Sequence, residues 1–330
     1  MKYTQLGRTG LKVSRLTLGT MNFGPLTNEP DSHAIMDAAL DAGINYFDTA
    51  NVYGWDENKG RTEEILGTWF TKGGERRDKV VLATKVYGNM ATDGKPAWPN
   101  HDLLSAVNIR RSVEASLKRL QTDYIDIYQF HHIDRRTPFD EIWQAIDTLV
   151  TQGKILYAGS SNFPGYKIAQ ANEVAARRGS YGLVSEQCLY NLAERSAEME
   201  VIPAAQDYGL GVIPWSPLHS GLLGGVLKKE GEGKRRTGGR AAEELAKPEK
   251  RARVQAYEDL LDKHGLAPGE VALAWLLTRP GITGPIVGPR TPEQLTSALR
   301  AVDLDLSDEL LESLDEIFPG PGPSPESFAW

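Results

Sequence analysis

The sequence predicts an α/β fold: a (β/α)₈ barrel of the TIM type, with a β-hairpin cap at its N-terminus and a helix and tail at its C-terminus. Three observations carry that prediction. Eight short apolar stretches recur along the 330 residues, longer amphipathic segments alternate with them, and no linker divides the chain. Residues 1–330 therefore read as a single domain. Five or six such units would favour a doubly wound sheet, whereas eight suggest a closed barrel. The count by itself leaves closure open.

The opening segment, residues 2–13, carries Gly7-Arg8-Thr9-Gly10 between two extended stretches and predicts a small hairpin. The eight strand candidates are residues 16–20, 44–48, 80–85, 125–131, 155–160, 183–187, 211–215 and 284–287. Between them, residues 31–42 place Ile35, Ala38, Ala39 and Ala42 on one helical face, with Asp31 or Ser32 as N-cap and Gly43 as the stop. Residues 103–120 and 139–152 repeat that pattern, the second ending at Gly153. Two stretches break it. Residues 217–253 lack steady periodicity, are rich in glycine, and carry Lys228, Lys229, Lys234, Arg235, Arg236 and Arg240, so a long functional loop is expected there. The tail Pro319-Gly320-Pro321-Gly322-Pro323 cannot be helical and leads to Phe328-Ala329-Trp330.

Charge narrows the partners. With 44 acidic against 37 basic residues the net charge is −7, which argues against nucleic acid while leaving room for a local basic pocket. A single cysteine, Cys188, excludes an internal disulfide and suits a reducing compartment; it reads as a small buried filler. The N-terminus has no apolar signal region, and no apolar run approaches the ~18 residues that span a bilayer. The expectation is a cytoplasmic protein acting on a small molecule, with no membrane or nucleic-acid partner.

In a parallel barrel, ligands sit at the carboxyl ends of the strands, so the last residue of each strand candidate is informative. These are Asp48, Lys85 and His131 on the second, third and fourth, and Ser160-Ser161-Asn162 after the fifth. Gln187 ends the sixth, and Trp215-Ser216 the seventh. Tyr53 follows Asp48 by five positions and can reach the same mouth. A phenol with its ordinary pKa of ~10 is a poor acid near neutrality. A nearby ammonium is expected to lower that pKa, and a carboxylate to hold the ammonium charged and oriented. A histidine can then orient a carbonyl and share its protonation as hydride arrives at carbon. Singly, Asp48 reads equally as a loop cap, Lys85 as a solvated edge residue and Tyr53 as a loop anchor. Alternation gives His131 the parity of Ile125, Ile127 and Gln129, and His132 that of Tyr128 and Phe130. The two histidines are thus expected on opposite faces, at least one of them structural.

At these residues the chain resembles the aldo-keto reductase family along nearly its whole length. The likeness is strongest to the bacterial branch related to the potassium-channel β-subunit type. Four segments carry it: residues 3–14, residues 41–50 with Tyr53-Gly54, residues 123–131, and residues 153–155 running to Gly159-Ser160-Ser161-Asn162-Phe163. The resemblance implies a catalytic tetrad of Asp48, Tyr53, Lys85 and His131, with Tyr53 as general acid in the NADPH-dependent reduction of aldehydes or ketones, without a metal. It implies that Ser161, Asn162 and Gln187 bind the nicotinamide carboxamide and that Trp215 stacks on the ring. Gly19, Thr20, Met21 and Asp48 join them, as do Ser216, Pro217, Leu218, Gly221 and Leu223 on the loop over the cofactor. At the adenosine end the segment departs from the family: Gly288 and Pro289 replace the usual lysine and serine, and Gln294 the usual arginine. Ser297 and Ala298 stand for the common Glu-Asn pair. Arg290 remains to hold a 2′-phosphate, which favours NADPH over NADH. Phe23, Trp55, Tyr87 and His132 are the candidate substrate pocket, with Trp98 and Trp330 as further aromatics. Three alternatives stay open: a nucleotide-sensing regulatory subunit with weak turnover, an alcohol dehydrogenase working in the oxidative direction, and a barrel enzyme of the phosphosugar kind with no affinity for NADPH.

Overall fold

Turn chemistry at residues 7–10 folds the first two strands back on each other: β1 (Tyr3–Gln5) pairs antiparallel with β2 (Lys12–Ser14). The computed structural model describes residues 1–231 and 240–322. Eight further strands follow, β3 (Thr17–Gly19), β4 (Tyr46–Asp48), β5 (Val81–Val86), β6 (Ile125–Phe130), β7 (Ile155–Ser161), β8 (Leu183–Leu189), β9 (Gly211–Trp215) and β10 (Ile286–Val287). All eight predicted strands are present. They form one parallel sheet in the order β10-β3-β4-β5-β6-β7-β8-β9. The sheet closes where Val212 of β9 donates to Gly281 O (3.1 Å) and accepts from Thr283 N (2.9 Å), just ahead of β10.

Two apolar layers hold this frame. Inside the barrel, Tyr46, Val81, Ala83, Ile127, Val184 and Ile213 pack with Leu6 and Val13, so the hairpin plugs the bottom. Arg8 fixes the plug by donating to Leu183 O (3.1 Å) and, from its backbone, to Gly209 O (2.7 Å). Outside, the opposite strand faces bury Leu18, Phe47, Leu82, Tyr128, Phe130 and Val212 against the surrounding helices. Burial on both faces is what parallel strands require and explains why they read as continuous apolar runs.

The helix boundaries correct the sequence reading. The first long helix is Glu29–Asp41, capped by Asn28, whose side chain accepts from Asp31 N; neither Asp31 nor Ser32 is the cap. Pro30 sits in its first turn, where a missing N–H costs nothing. The next reading, 103–120, begins three residues late, as helix Ala106–Leu120 with Ser105 as cap, because Leu103 takes a left-handed backbone. Phe139–Thr151 matches closely. The expectation of an irregular loop over 217–253 is overturned where the chain is described: helices Val226–Gly231, Arg240–Leu245 and Pro248–Lys263 occupy it. Leu222, Val226, Leu245 and Val254 form a small cluster there, and the Glu258 carboxylate accepts from Leu227 N and Lys228 N, both at 2.9 Å. The first two helices are too short for a helical period to show in the sequence. Lys234, Arg235, Arg236 and the tail residues from Pro323 to Trp330 lie outside the described residues. The C-terminal helix Asp308–Ile317 is capped by Ser307. Among the described residues, no helix is long and apolar enough to cross a membrane.

Candidate active site

Parallel strands bring distant residues to one rim. Asp48 closes β4, Lys85 lies near the end of β5, and in the register of the sheet Lys85 stands opposite Gln129 of β6. The Lys85 ammonium donates to Asp48 Oδ2 at 2.6 Å, to Thr49 O at 2.9 Å and to Tyr53 Oη at 3.2 Å. Both charges are buried. Tyr53 arrives on a turn after β4. Gly54 makes that turn possible at φ +114°, where a Cβ would collide with the Asn58 carbonyl. His131 follows β6, its backbone N–H bonded to Val86 O at 3.0 Å, and its ring meets Tyr53 edge-on with centroids 6.0 Å apart. The four predicted residues therefore converge.

Their electrostatics differ from expectation in one respect. Burial pushes the Tyr53 phenol above its ordinary value; the Lys85 charge pulls it down but does not prevail. The expected lowering is thus reversed, because the phenol is buried. Burial also works against the Lys85 ammonium, yet Asp48 and Tyr53 outweigh it and its pKa rises. Burial, with Lys85 and His132 adding to it, drops the His131 imidazole to about 2, so this ring is neutral at any physiological pH.

The adjacent histidines do not face opposite sides. Strand pairing stops at Phe130, alternation stops with it, and the two rings stack 5.0 Å apart at 8°. His132 in turn meets Tyr87 edge-on at 5.3 Å, while Trp55 lies 5.6 Å from Tyr53. A run of aromatic rings thus borders the mouth. Phe23 is not part of it: it is fully buried in the outer core and offers a ligand no surface. Trp98 stands exposed, and Trp330 lies outside the described residues.

The residues expected at a nucleotide lie along the ends of successive strands. Asn162, held at φ +59°, donates its amide to His131 O (3.1 Å), and its Oδ1 accepts from Trp215 Nε1 (3.0 Å), which fixes the half-buried indole at the rim. Ser161 Oγ donates to Gln187 O at 2.9 Å, and Gln187 Nε2 donates to Asp48 Oδ1 at 2.8 Å. Gly19 ends β3 and Thr20 follows it, its Oγ1 donating to Asp48 O at 2.9 Å; Met21 beyond them is exposed. Ser216, Pro217, Leu218 and Gly221 continue from β9, Gly221 with open space where a Cβ would stand, whereas Leu223 is fully buried. Gly288 accepts from Asn22 Nδ2 at 2.8 Å. Arg290 precedes helix Pro292–Arg300, and its backbone N–H bonds to Gln294 Oε1 at 2.8 Å. Among the described residues its guanidinium has no hydrogen-bond or ion-pair partner.

Two residues escaped the sequence reading. Gln129 is fully buried and donates to Asp48 Oδ1 at 3.0 Å; a glutamine with the inward parity of His131 was the available signal. Glu186, also fully buried, accepts from Ser160 Oγ and from Phe163 N (3.0 Å), bracketing Ser161 and Asn162. Its burial raises the carboxyl to about 8.

Residues 15–318 match the model of the aldo/keto reductase family. The chain belongs to the aldo/keto reductase family. It is 54% identical to the uncharacterized oxidoreductase YrpG of Bacillus subtilis, across the full length of both chains. It is 33% identical to the versiconal hemiacetal acetate reductase of Aspergillus parasiticus over 96% of each chain. With a probable voltage-gated potassium channel subunit beta of Arabidopsis thaliana it shares 32% identity over 99% of this chain and 100% of that protein. The chain is accordingly an NAD(P)H-dependent oxidoreductase on a (β/α)₈ barrel, and it acts on a small-molecule carbonyl.

Proposed function

We propose that the protein reduces aldehydes or ketones to alcohols with NADPH, Tyr53 serving as general acid, as one barrel domain in a reducing, cytoplasmic setting. The observation that carries this reading is the buried Lys85 ammonium bonded at once to Asp48 and to the Tyr53 hydroxyl. A phenol whose pKa is raised by burial keeps its proton at neutral pH, as an acid must. As the proton leaves toward the carbonyl oxygen, the adjacent ammonium stabilises the growing phenolate, and Asp48 keeps that ammonium charged. Neutral His131 offers a ring N–H to orient the same oxygen. When bound, the cofactor supplies the hydride that the carbonyl carbon accepts.

The residues present fit such a cofactor. Trp215 offers a pinned indole face, Gly221 leaves open space for close approach, Asn162 bonds to both the indole and the His131 carbonyl, and Gln187 bonds to Asp48. The guanidinium of Arg290, without a partner among the described residues and next to the first turn of helix Pro292–Arg300, suits a dianionic 2′-phosphate, which supports NADPH over NADH. The rings of Trp55, Tyr53, His131, His132 and Tyr87 favour planar, aromatic carbonyl substrates. The reverse reaction, alcohol oxidation, uses the same groups with Tyr53 taking the proton back.

Titration with NADPH and NADH, followed by tryptophan fluorescence, tests the cofactor half. Quenching with tighter NADPH binding is expected. Quenching by NADH alone would overturn the role of Arg290, and no response to either would overturn the oxidoreductase site as drawn.

A further inference from the structure

The carboxylate of Asp48 is held by more donors than an ion pair needs. Oδ2 takes the Lys85 ammonium; Oδ1 takes two amides, Gln187 Nε2 at 2.8 Å and Gln129 Nε2 at 3.0 Å. The two glutamines also meet each other, Gln187 Nε2 lying 3.4 Å from Gln129 Oε1. They come from opposite directions, β6 and β8, and β7 between them makes room. Its residue in register with Gln129 is Gly159, where a Cβ would stand 3.2 Å from Gln129 Cγ and 2.5 Å from Ser185 Oγ. A side chain there would press Gln129 off the carboxylate. Gln129 itself is fully buried, and its side chain bonds to the tetrad at Asp48.

We propose that Gln129 is a positioning residue that retains Asp48 when the nicotinamide carboxamide engages Gln187, and so couples cofactor binding to the Asp48–Lys85–Tyr53 chain. The inference rests on the cofactor reading above. In the free protein the Gln187 amide is committed to Asp48. A carboxamide that bonds to that amide reorients it and draws it from Oδ1. A buried carboxylate oxygen stripped of its donors is costly, so a second donor that no ligand touches keeps the charge, and with it the Lys85 ammonium, in place. Without Gln129, carboxamide engagement removes the last amide from Oδ1, and binding of the nicotinamide half is penalised selectively.

The test compares two ligands on the intact protein: the nicotinamide dinucleotide phosphate, and adenosine 2′,5′-bisphosphate, which carries the phosphate end but no carboxamide. Gln129→Met and Gln129→Leu both fill the volume without a donor, and either one, once folded, suffices. Dissociation constants are read by calorimetry. The expected result is dinucleotide binding weakened at least about tenfold, the loss of one hydrogen bond to a charged group, with the bisphosphate unchanged. Equal weakening of both ligands would assign Gln129 a general structural role and overturn the coupling, as would no change in either. Failure of the wild-type protein to bind either ligand, or NADH in their place, would overturn the cofactor reading and this inference together. Failure of the variants to discriminate, with wild-type binding intact, would overturn the inference alone. A variant that weakens only the dinucleotide while its melting temperature stays near that of the wild type is the signature of a positioning role.

Discussion

Replacing Asp48 with asparagine removes one charge from a buried ion pair. Three donors converge on the carboxylate: Lys85 on Oδ2, and Gln129 and Gln187 on Oδ1. An asparagine has one acceptor oxygen, so whichever way its amide sits, its NH₂ faces a donor unless a glutamine reverses. The larger loss is electrostatic. Burial already opposes the Lys85 ammonium, and with the carboxylate gone its remaining partners among the described residues are the phenol of Tyr53 and the Thr49 carbonyl. Breaking a buried pair by removing one partner costs about 3–5 kcal/mol. For a chain of 330 residues the unfolding entropy near the midpoint is about 0.7 kcal/mol/K, so the melting temperature should fall by about 4–7 °C. The same change lets Lys85 lose its proton more readily and leaves the phenolate without its stabilising charge, so kcat for carbonyl reduction should fall about 100-fold or more. Scanning calorimetry and steady-state kinetics on Asp48→Asn read both effects. A melting temperature within about 1 °C of the wild type, with kcat intact, would refute the dependence of Lys85 on Asp48.

Three further outcomes follow from the same geometry. Because the Glu186 carboxyl is raised to about 8 from its ordinary 4.5, the folded state binds its proton more tightly than the unfolded state does. The resulting stability is complete below 4.5 and is lost as the pH climbs through about 8, so Glu186→Gln should gain on the wild type across that window, by about 5 kcal/mol in the limit; denaturant titrations at several pH values that run parallel would contradict this. Arg290→Gln should weaken NADPH binding about 10–100-fold while NADH affinity stays put, and an equal effect on both nucleotides would remove the phosphate role from Arg290. Reduction should slow as the pH rises through the elevated pKa of Tyr53, which as the proposed acid must be protonated to act, with no inflection from His131, whose ring is neutral down to about 2. An inflection near neutrality that vanishes in His131→Asn would show the ring to be a titrating acid instead.

Much of the barrel was legible because parallel strands buried on both faces must be apolar throughout, and because their carboxyl ends are where a polar residue ends the run. Asp48, Lys85 and His131 stood out on that ground alone, and Tyr53 by its short distance from Asp48. What alternation could not describe was the chain beyond the last paired residue, which is why His131 and His132 stack rather than diverge. The direction of the Tyr53 shift was illegible for a related reason: a sequence names the charges but not how deeply the phenol is buried, and burial decided the sign. Gln129 and Glu186 gave only faint signals, since a polar residue within a strand reveals its role only when the facing strand is known. The helices within 217–253 were hidden by their length, and Phe23 by an aromatic ring that serves core and pocket equally well in composition.

The proposed reaction has Tyr53 protonate a carbonyl oxygen at a site served by NADPH. Its most direct test is the oxidation of NADPH in the presence of a panel of aromatic aldehydes and diketones, by the wild type and by Tyr53→Phe. Loss of that single hydroxyl should lower kcat by about 10²–10⁴-fold while the NADPH dissociation constant is unchanged. Equal rates in the two proteins would contradict the assignment of the acid. Tight NADPH binding by the wild type with no turnover of any carbonyl would contradict the reductase itself, and leave a nucleotide-sensing subunit in its place.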